Sequence, residues 1–204
     1  MRGKFIVFEG VDGSGKSTQR ERVAEALRAA GIEVVLTREP GGTPVAERLR
    51  EILLSVHDEP LSGTTELLTV FAARAQHLAQ VIRPWVEKGA WVLCDRFTAS
   101  TFAYQVHARG LSRSLFDSLI QEVVGETRPD ITLFFDLPED MAAERLRKRR
   151  GKIDRLDAES AEFFRKVRAG YREIAQRDGY IRIDADRSIE EVTTSVLAHL
   201  LPRP

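Results

Sequence analysis

One stretch constrains this chain more than any other: Phe5-Ile6-Val7-Phe8-Glu9-Gly10-Val11-Asp12-Gly13-Ser14-Gly15-Lys16-Ser17-Thr18. Its first five residues are rich in β-branched and aromatic side chains and predict a buried strand. They run into Gly10-x-x-x-x-Gly15-Lys16-Ser17, and a helical pattern begins near Ser17. Strand, glycine-rich turn and helix in that order form the P-loop in its required context. Glycines let successive backbone N–H groups curl around phosphate oxygens where Cβ atoms would obstruct them. The helix N-terminus adds partial positive charge. Lys16 supplies a full charge, and the Ser17 hydroxyl can complete a magnesium shell. The expectation is a nucleoside triphosphate site formed by Gly10, Val11, Asp12, Gly13, Ser14, Gly15, Lys16, Ser17 and Thr18.

Length and composition set the frame. A chain of 204 residues suffices for one sizeable domain, and its 31 basic and 31 acidic residues cancel. No global field draws such a chain to nucleic acid or to an anionic membrane. The single cysteine, Cys94, excludes an internal disulfide and suits a reducing cytoplasm. No apolar run approaches the roughly 18 residues of a membrane span. Core strand begins by Phe5, which leaves no room for a signal peptide. The sequence contains no asparagine. That excludes the Asn-Lys-x-Asp guanine reader of GTPases and the metal-holding asparagine of protein kinases.

Taken in order, helical spacing runs from Ser17 to about Ala30, where Gly31 stops it. Val34 to Leu36 predicts a second strand, broken by Thr37-Arg38-Glu39-Pro40-Gly41-Gly42-Thr43. Val45 to Ser55 is helical, Val56 to Gly63 a loop. A long helix follows from about Thr64 to Lys88, kinked or divided at Pro84. Ala90 to Cys94 is a third strand, ended by Asp95-Arg96-Phe97. Helices over Thr98–His107 and Ser112–Val124 precede a fourth strand, Ile131 to Phe135. Pro138 opens a helix that turns intensely basic by Arg147. Asp157 to Asp178 is helical, Tyr180 to Ile183 a fifth strand, Ile189 to Leu200 the closing helix. Short apolar strands alternating with helices predict an α/β fold: a five-stranded, mostly parallel sheet flanked by helices on both faces. Ligands of such sheets bind at the carboxyl ends of the strands. The P-loop, Arg38, Asp95-Arg96 and Asp184-Ala185-Asp186 all fall on that edge.

Several constellations there carry chemistry. Arg38, at a rigid turn, can grip phosphate through two parallel hydrogen bonds; the plain alternative is a solvated loop arginine. Leu67, Phe71, Arg74 and Leu78 lie near one line of the long helix, so Arg74 is a cation in an apolar stripe and needs a partner. Either Phe71 stacks a nucleobase whose edge Arg74 reads, or Arg74 pairs with a core carboxylate. Asp95 can hold magnesium or its waters, and Arg96 can brace phosphate. Ser100 and Tyr104 share one helix face, as do Thr101 and Gln105, and these four could line a sugar pocket. Asp12 puts a carboxylate among phosphates, to be met by a sugar hydroxyl, magnesium or an arginine. Glu9 reads as an anchor of the turn. The basic run from Arg145 to Arg155 is a solvated helix end, a nucleic-acid patch, or a mobile lid whose arginines close on triphosphate. The P-loop favours the lid, at about 145–156.

In these residues the chain resembles the bacterial thymidylate kinase family along essentially its whole length. The matching segments are Phe8 to Thr18, Thr37-Arg38-Glu39-Pro40-Gly41-Gly42-Thr43, Phe71-Ala72-Ala73-Arg74, Asp95-Arg96-Phe97, Ser100-Thr101, Ala103-Tyr104-Gln105, Arg128-Pro129-Asp130 and Asp154-Arg155. The resemblance implies a P-loop nucleoside monophosphate kinase that uses ATP and Mg2+ to phosphorylate thymidine monophosphate (dTMP). It implies that Phe71 stacks on thymine, Arg74 reads its edge, and Arg38 and Arg96 hold the acceptor phosphate. Tyr104 would close on the deoxyribose, with Ser100, Thr101 and Gln105 as further contacts. Some members carry a catalytic arginine inside the P-loop and others in the lid. Nothing basic lies between Gly10 and Gly15 here, which implies the second kind, with Arg147, Arg149 and Arg150 joining Lys16 and Arg96 in catalysis. A homodimer, without nucleic-acid or membrane partners, is also implied. The chain departs from the family at Phe97 and at Val106-His107-Ala108. Two rivals remain: another nucleoside or nucleotide kinase, for instance one whose acceptor is a sugar hydroxyl with Asp12 or Glu9 as base, and a P-loop ATPase switch.

Overall fold

The computed structural model describes residues 2–148, 155, 156 and 159–201. Five strands form one parallel sheet: β1 (Phe5–Glu9), β2 (Val34–Arg38), β3 (Trp91–Asp95), β4 (Ile131–Asp136) and β5 (Ile181–Asp184), in the order β2-β3-β1-β4-β5. All five residues of β1 are buried, as its central place and the apolar run Phe5 to Phe8 require, and the fifth, Glu9, is a buried carboxylate. Val7 lies level with Cys94 of β3 on one side and Thr132 of β4 on the other.

The connections decide where the helices go. From β1 the chain travels through α1 (Lys16–Ala29) toward the β2 edge. Every later connection between strands moves the opposite way along the sheet. With right-handed crossovers, α1 therefore covers one face. The other face receives α2 (Pro44–Leu54), α3 (Gly63–His77), α4 (Arg83–Glu87), α5 (Thr98–Thr101), α6 (Arg113–Leu119), α7 (Glu139–Lys148) and α8 (Ala161–Arg177). The last helix, α9 (Ile189–Leu200), returns to pack against α1. Neighbouring strands β1 and β3 thus send their loops to opposite faces, and a crevice must open between those loops.

Three segments differ from simple helix expectations. Pro84 does not divide the long helix. A π turn at Leu78–Ile82 joins α3 to α4, with the Arg83 amide donating to the Leu78 carbonyl. Pro84 then follows the π turn directly, at the start of α4. A second π segment, Phe102–Ala108, continues α5 and carries Tyr104 and Gln105; a third, Ile120–Val124, continues α6. The helix expected from Asp157 begins instead at Ala161, because the Ser160 side chain accepts from the Phe163 amide and caps it there. The second strand extends to Arg38, and the fifth ends at Asp184. Packing fixes the second π segment closely. A Cβ on Gly170 of α8 would lie 2.9 Å from the Ala103 Cα, so only glycine allows that approach. Among the described residues, no helix is long and apolar enough to cross a membrane.

Candidate active site

The loops leaving β1 and β3 face each other at the crevice, and a cavity of about 760 Å3 opens there. Its phosphate end is built from backbone. Gly10 leaves β1 with φ 145°, where a Cβ would sit 2.6 Å from the Phe135 carbonyl oxygen of β4. Gly15 caps α1 in the left-handed conformation, and no side chain caps that helix. Its first-turn amides therefore remain available to an anion. Asp12, Gly13, Ser14, Gly15, Lys16, Ser17 and Thr18 line the cavity. Gly10 and Val11 do not; they act through carbonyls, accepting from Arg96 at 3.3 Å and from Lys16 Nζ at 2.8 Å. Burial first, and the Arg96 charge second, push the Lys16 ammonium down to about 8.

Beside the loop, the Ser17 hydroxyl donates to Asp95 Oδ2 at 2.6 Å, while Asp95 Oδ1 is buried with no partner. The described residues hold no cluster of three His, Cys, Asp or Glu able to cage a metal. One hydroxyl and one carboxylate with a spare oxygen instead fit magnesium, which keeps most of its waters and takes phosphate oxygens.

Arg96 joins the two loops. Its backbone is left-handed at φ 69°, uncommon for a residue with a side chain. NH2 pairs with Asp12 Oδ1 at 2.8 Å; NH1 donates to the Tyr171 hydroxyl at 2.7 Å, to Ser100 Oγ at 3.2 Å and to the Gly10 carbonyl. The guanidinium stands 5.5 Å from the centre of the Tyr104 ring, and the Tyr104 hydroxyl donates to Asp12 at 3.2 Å. Burial alone would raise the Asp12 pKa, but Arg96 and Lys16 outweigh it and hold the carboxyl well below the usual range. Glu9 lies beneath, accepting from the amides of Phe97 and Ser100 and from the Ser100 hydroxyl. It anchors the start of α5. Burial nevertheless raises its pKa.

The far end of the cavity is lined by Val70, Arg74, Thr101 and Gln105. Arg74 is only 1% exposed. Its Nε donates to Glu39 Oε2 at 2.8 Å, and NH2 donates to the Phe97 carbonyl at 3.0 Å and to Thr101 Oγ1 at 2.9 Å, whereas NH1 is buried with no partner. Arg74 therefore has the core carboxylate and still holds donors in reserve. The Phe71 ring, expected to stack on a base, packs edge-on to Phe116, and the Arg74 guanidinium lies 4.9 Å from it and 5.0 Å from the Phe97 ring. Both rings offer the cation a π-face. Val70, one residue earlier, lines the cavity.

Sequence reasoning missed a second hub. Glu66, 1% exposed, accepts from Gln105 at 2.6 Å, Arg109 at 2.9 Å and Arg155 at 2.6 Å. An acidic residue in the first turn of a helix ordinarily reads as a dipole partner, so only the Asp154-Arg155 motif hinted at this contact. Arg155 also donates to the Leu53 carbonyl at the end of α2. Arg38 lines the cavity while paired with Glu47 at 2.9 Å. Of the lid arginines, Arg147 is exposed and does not line the cavity. Arg145 does, donating to the Ala185 carbonyl at 3.2 Å. Two positions apart, the residues project to nearly opposite sides of α7. Arg149 and Arg150 lie outside the described residues.

Comparison with known proteins agrees across the chain. Residues 8–196 match the family model described as thymidylate kinase. A thymidylate kinase of Pseudomonas fluorescens (strain Pf0-1) is 56% identical over 198 residues, covering 96% of this chain and 94% of that protein. One from Ectopseudomonas mendocina (strain ymp) is 53% identical over 204 residues, covering 99% and 96%. The crystal structure of thymidylate kinase from Ehrlichia chaffeensis superposes with a TM-score of 0.77 at 35% identity, covering 98% of this chain and 99% of that one.

The depressed Lys16 pKa has a measurable consequence. Folding holds it at about 8 against an ordinary 10.5, so the neutral form gains as pH rises between those values. A phosphate ligand requires the cation. Affinity for an ATP analogue should be flat near pH 7 and weaken by up to about tenfold per unit above about pH 8. Titration calorimetry at intervals from about pH 7 to about pH 9.5 checks this, and an unchanged affinity would contradict it.

Proposed function

The chain belongs to the thymidylate kinase family and has the P-loop nucleoside monophosphate kinase fold, and from that premise we propose how its residues transfer the γ-phosphoryl of ATP to dTMP. The reaction gives thymidine diphosphate and ADP. One observation carries the assignment of residues: a single cavity runs from the first turn of α1, past Arg96, to Arg74 and Gln105. It offers a triphosphate cradle, a central cation and a base pocket in line.

The donor lies along Asp12 to Thr18, with Lys16 on its terminal phosphates. Ser17 and Asp95 would hold Mg2+, which supplies charge neutralisation of the β- and γ-oxygens. Arg96, with Arg38 behind it, holds the acceptor phosphate. Arg74, Thr101 and Gln105 bind the base, Val70 packs on it, and Tyr104 and Ser100 close on the sugar. A phosphate monoester is already largely ionised at neutral pH, its second pKa being about 6. The site therefore needs no general base; it needs two repelling anions aligned and their charge neutralised. Lid closure over residues at about 145–156 excludes water, and Arg145 joins Arg147, Arg149 and Arg150 as a candidate for the cation that closes on the triphosphate.

A hydroxyl-phosphorylating kinase is disfavoured by the same geometry. Asp12 is tied to Arg96 and acidified, and Glu9 spends its oxygens on Phe97 and Ser100. Neither is placed as a base. The kinase acts as one domain and as a homodimer, a reading supported by exposed Val45, Ile52 and Val56 on and just beyond α2, and Leu68 on α3. Light scattering should give twice the chain's 23.0 kDa; a monomer mass at micromolar concentration would oppose it.

The assignment is tested by ADP release coupled to each nucleoside monophosphate in turn. Release should be strongly selective for dTMP, and Lys16→Ala and Arg96→Ala should each lower turnover at least about 100-fold. Near-normal turnover in either variant would remove that residue from the mechanism. Hydrolysis indifferent to any acceptor would remove the kinase reading itself.

A further inference from the structure

Behind Arg74 lies a buried chain of polar groups that the phosphoryl transfer does not use. His77, 0% exposed, places Nδ1 3.0 Å from Glu39 Oε1 and Nε2 2.6 Å from Thr37 Oγ1. Glu39, 3% exposed, gives its other oxygen to Arg74. A carboxylate only accepts, so Nδ1 donates toward Glu39, while Nε2 lies within hydrogen-bond reach of the Thr37 hydroxyl. Both Glu39 oxygens are thereby fixed, one by His77 and one by Arg74. The Gly41-Gly42 turn leaves the room: a Cβ on Gly42 would fall 2.6 Å from His77 Nε2 and 2.7 Å from Thr37 Oγ1.

The ordering continues to the cavity. With Nε on Glu39, NH2 on Phe97 and Thr101, and the Phe71 and Phe97 rings 4.9 and 5.0 Å from the guanidinium, the direction of NH1 is set before any ligand arrives. NH1 carries the two N–H donors that have no protein partner. We propose that His77, braced by Thr37, is a positioning residue that aims the Arg74 NH1 through Glu39 and so selects a pyrimidine presenting a carbonyl acceptor at its 4-position. This rests on the reading of Arg74 as the base-binding cation. A 4-amino pyrimidine would turn donors toward NH1 and leave both groups unpaired, which a buried site rejects strongly. Leucine in place of His77 would leave Glu39 Oε1 unpartnered and free to rotate, spoiling the aim of Arg74 without touching the P-loop.

Steady-state kinetics with dTMP and with deoxycytidine monophosphate (dCMP) test the idea. His77→Leu should raise KM for dTMP on the order of tenfold and lower the dTMP-over-dCMP preference similarly, with kcat and KM for ATP within about twofold. His77→Asn, whose amide nitrogen can take the place of Nδ1, should restore most of the loss. Thr37→Val, nearly isosteric and suited to a strand, should shift KM for dTMP the same way by about threefold, and carries the test if His77→Leu does not fold. Unchanged KM for dTMP in both His77→Leu and Thr37→Val would overturn the proposal. So would an asparagine variant as impaired as leucine, or a fall in kcat with a rise in both KM values. If the unmodified protein showed no dTMP-dependent ADP release, the assigned function would fail instead, independently of His77.

Discussion

Among the described residues, Arg96 is held by more of the structure than any other cation near the P-loop. Its left-handed backbone costs on the order of 1–3 kcal/mol and persists only where the surroundings over-determine it. Here they do. Its amide is tied to the Phe8 carbonyl of β1, its side chain to Asp12, Gly10, Ser100 and Tyr171, and Glu9 holds the residues that follow it. The P-loop, the β3 loop, α5 and α8 all meet at this guanidinium. Asp12, directly paired with it, is acidified, and the Lys16 ammonium nearby is also pushed down, by burial first and then by the same positive charge. The loop that cradles phosphate is thus electrostatically tuned from outside itself.

The sheet explains why this meeting happens. β1 and β3 are neighbours whose connections leave toward opposite faces, so the crevice between their loops is a consequence of strand order. The π segment at Phe102–Ala108 sets Tyr104 and Gln105 into the wall of that crevice.

Much of this was legible in the sequence, for identifiable reasons. The P-loop declares itself because its backbone conformation demands glycines, and the five strands declare themselves by apolar runs between turns. The burial of Arg74 followed from helical spacing. What periodicity could not give was the direction of neighbours on one helix: Val70 and Phe71 sit one step apart, and only packing against Phe116 decides which turns inward. The same ambiguity separates Arg145 from Arg147. Glu66 and His77 stayed hidden because each satisfies partners distant in sequence, and a lone acid or histidine on a helix carries no spacing signature. Sequence offered Arg74 either a nucleobase or a core carboxylate. The geometry gives it Glu39 and still leaves NH1 free of protein partners.

We propose Arg96 as the cation for the acceptor phosphate, not merely a strut between loops. Calorimetric binding of dTMP and of thymidine, which lacks the phosphate, to the wild type and to Arg96→Ala tests it most directly. The variant should bind dTMP on the order of 100-fold more weakly while its affinity for thymidine changes little. Equal losses for both ligands, or none for dTMP, would contradict it.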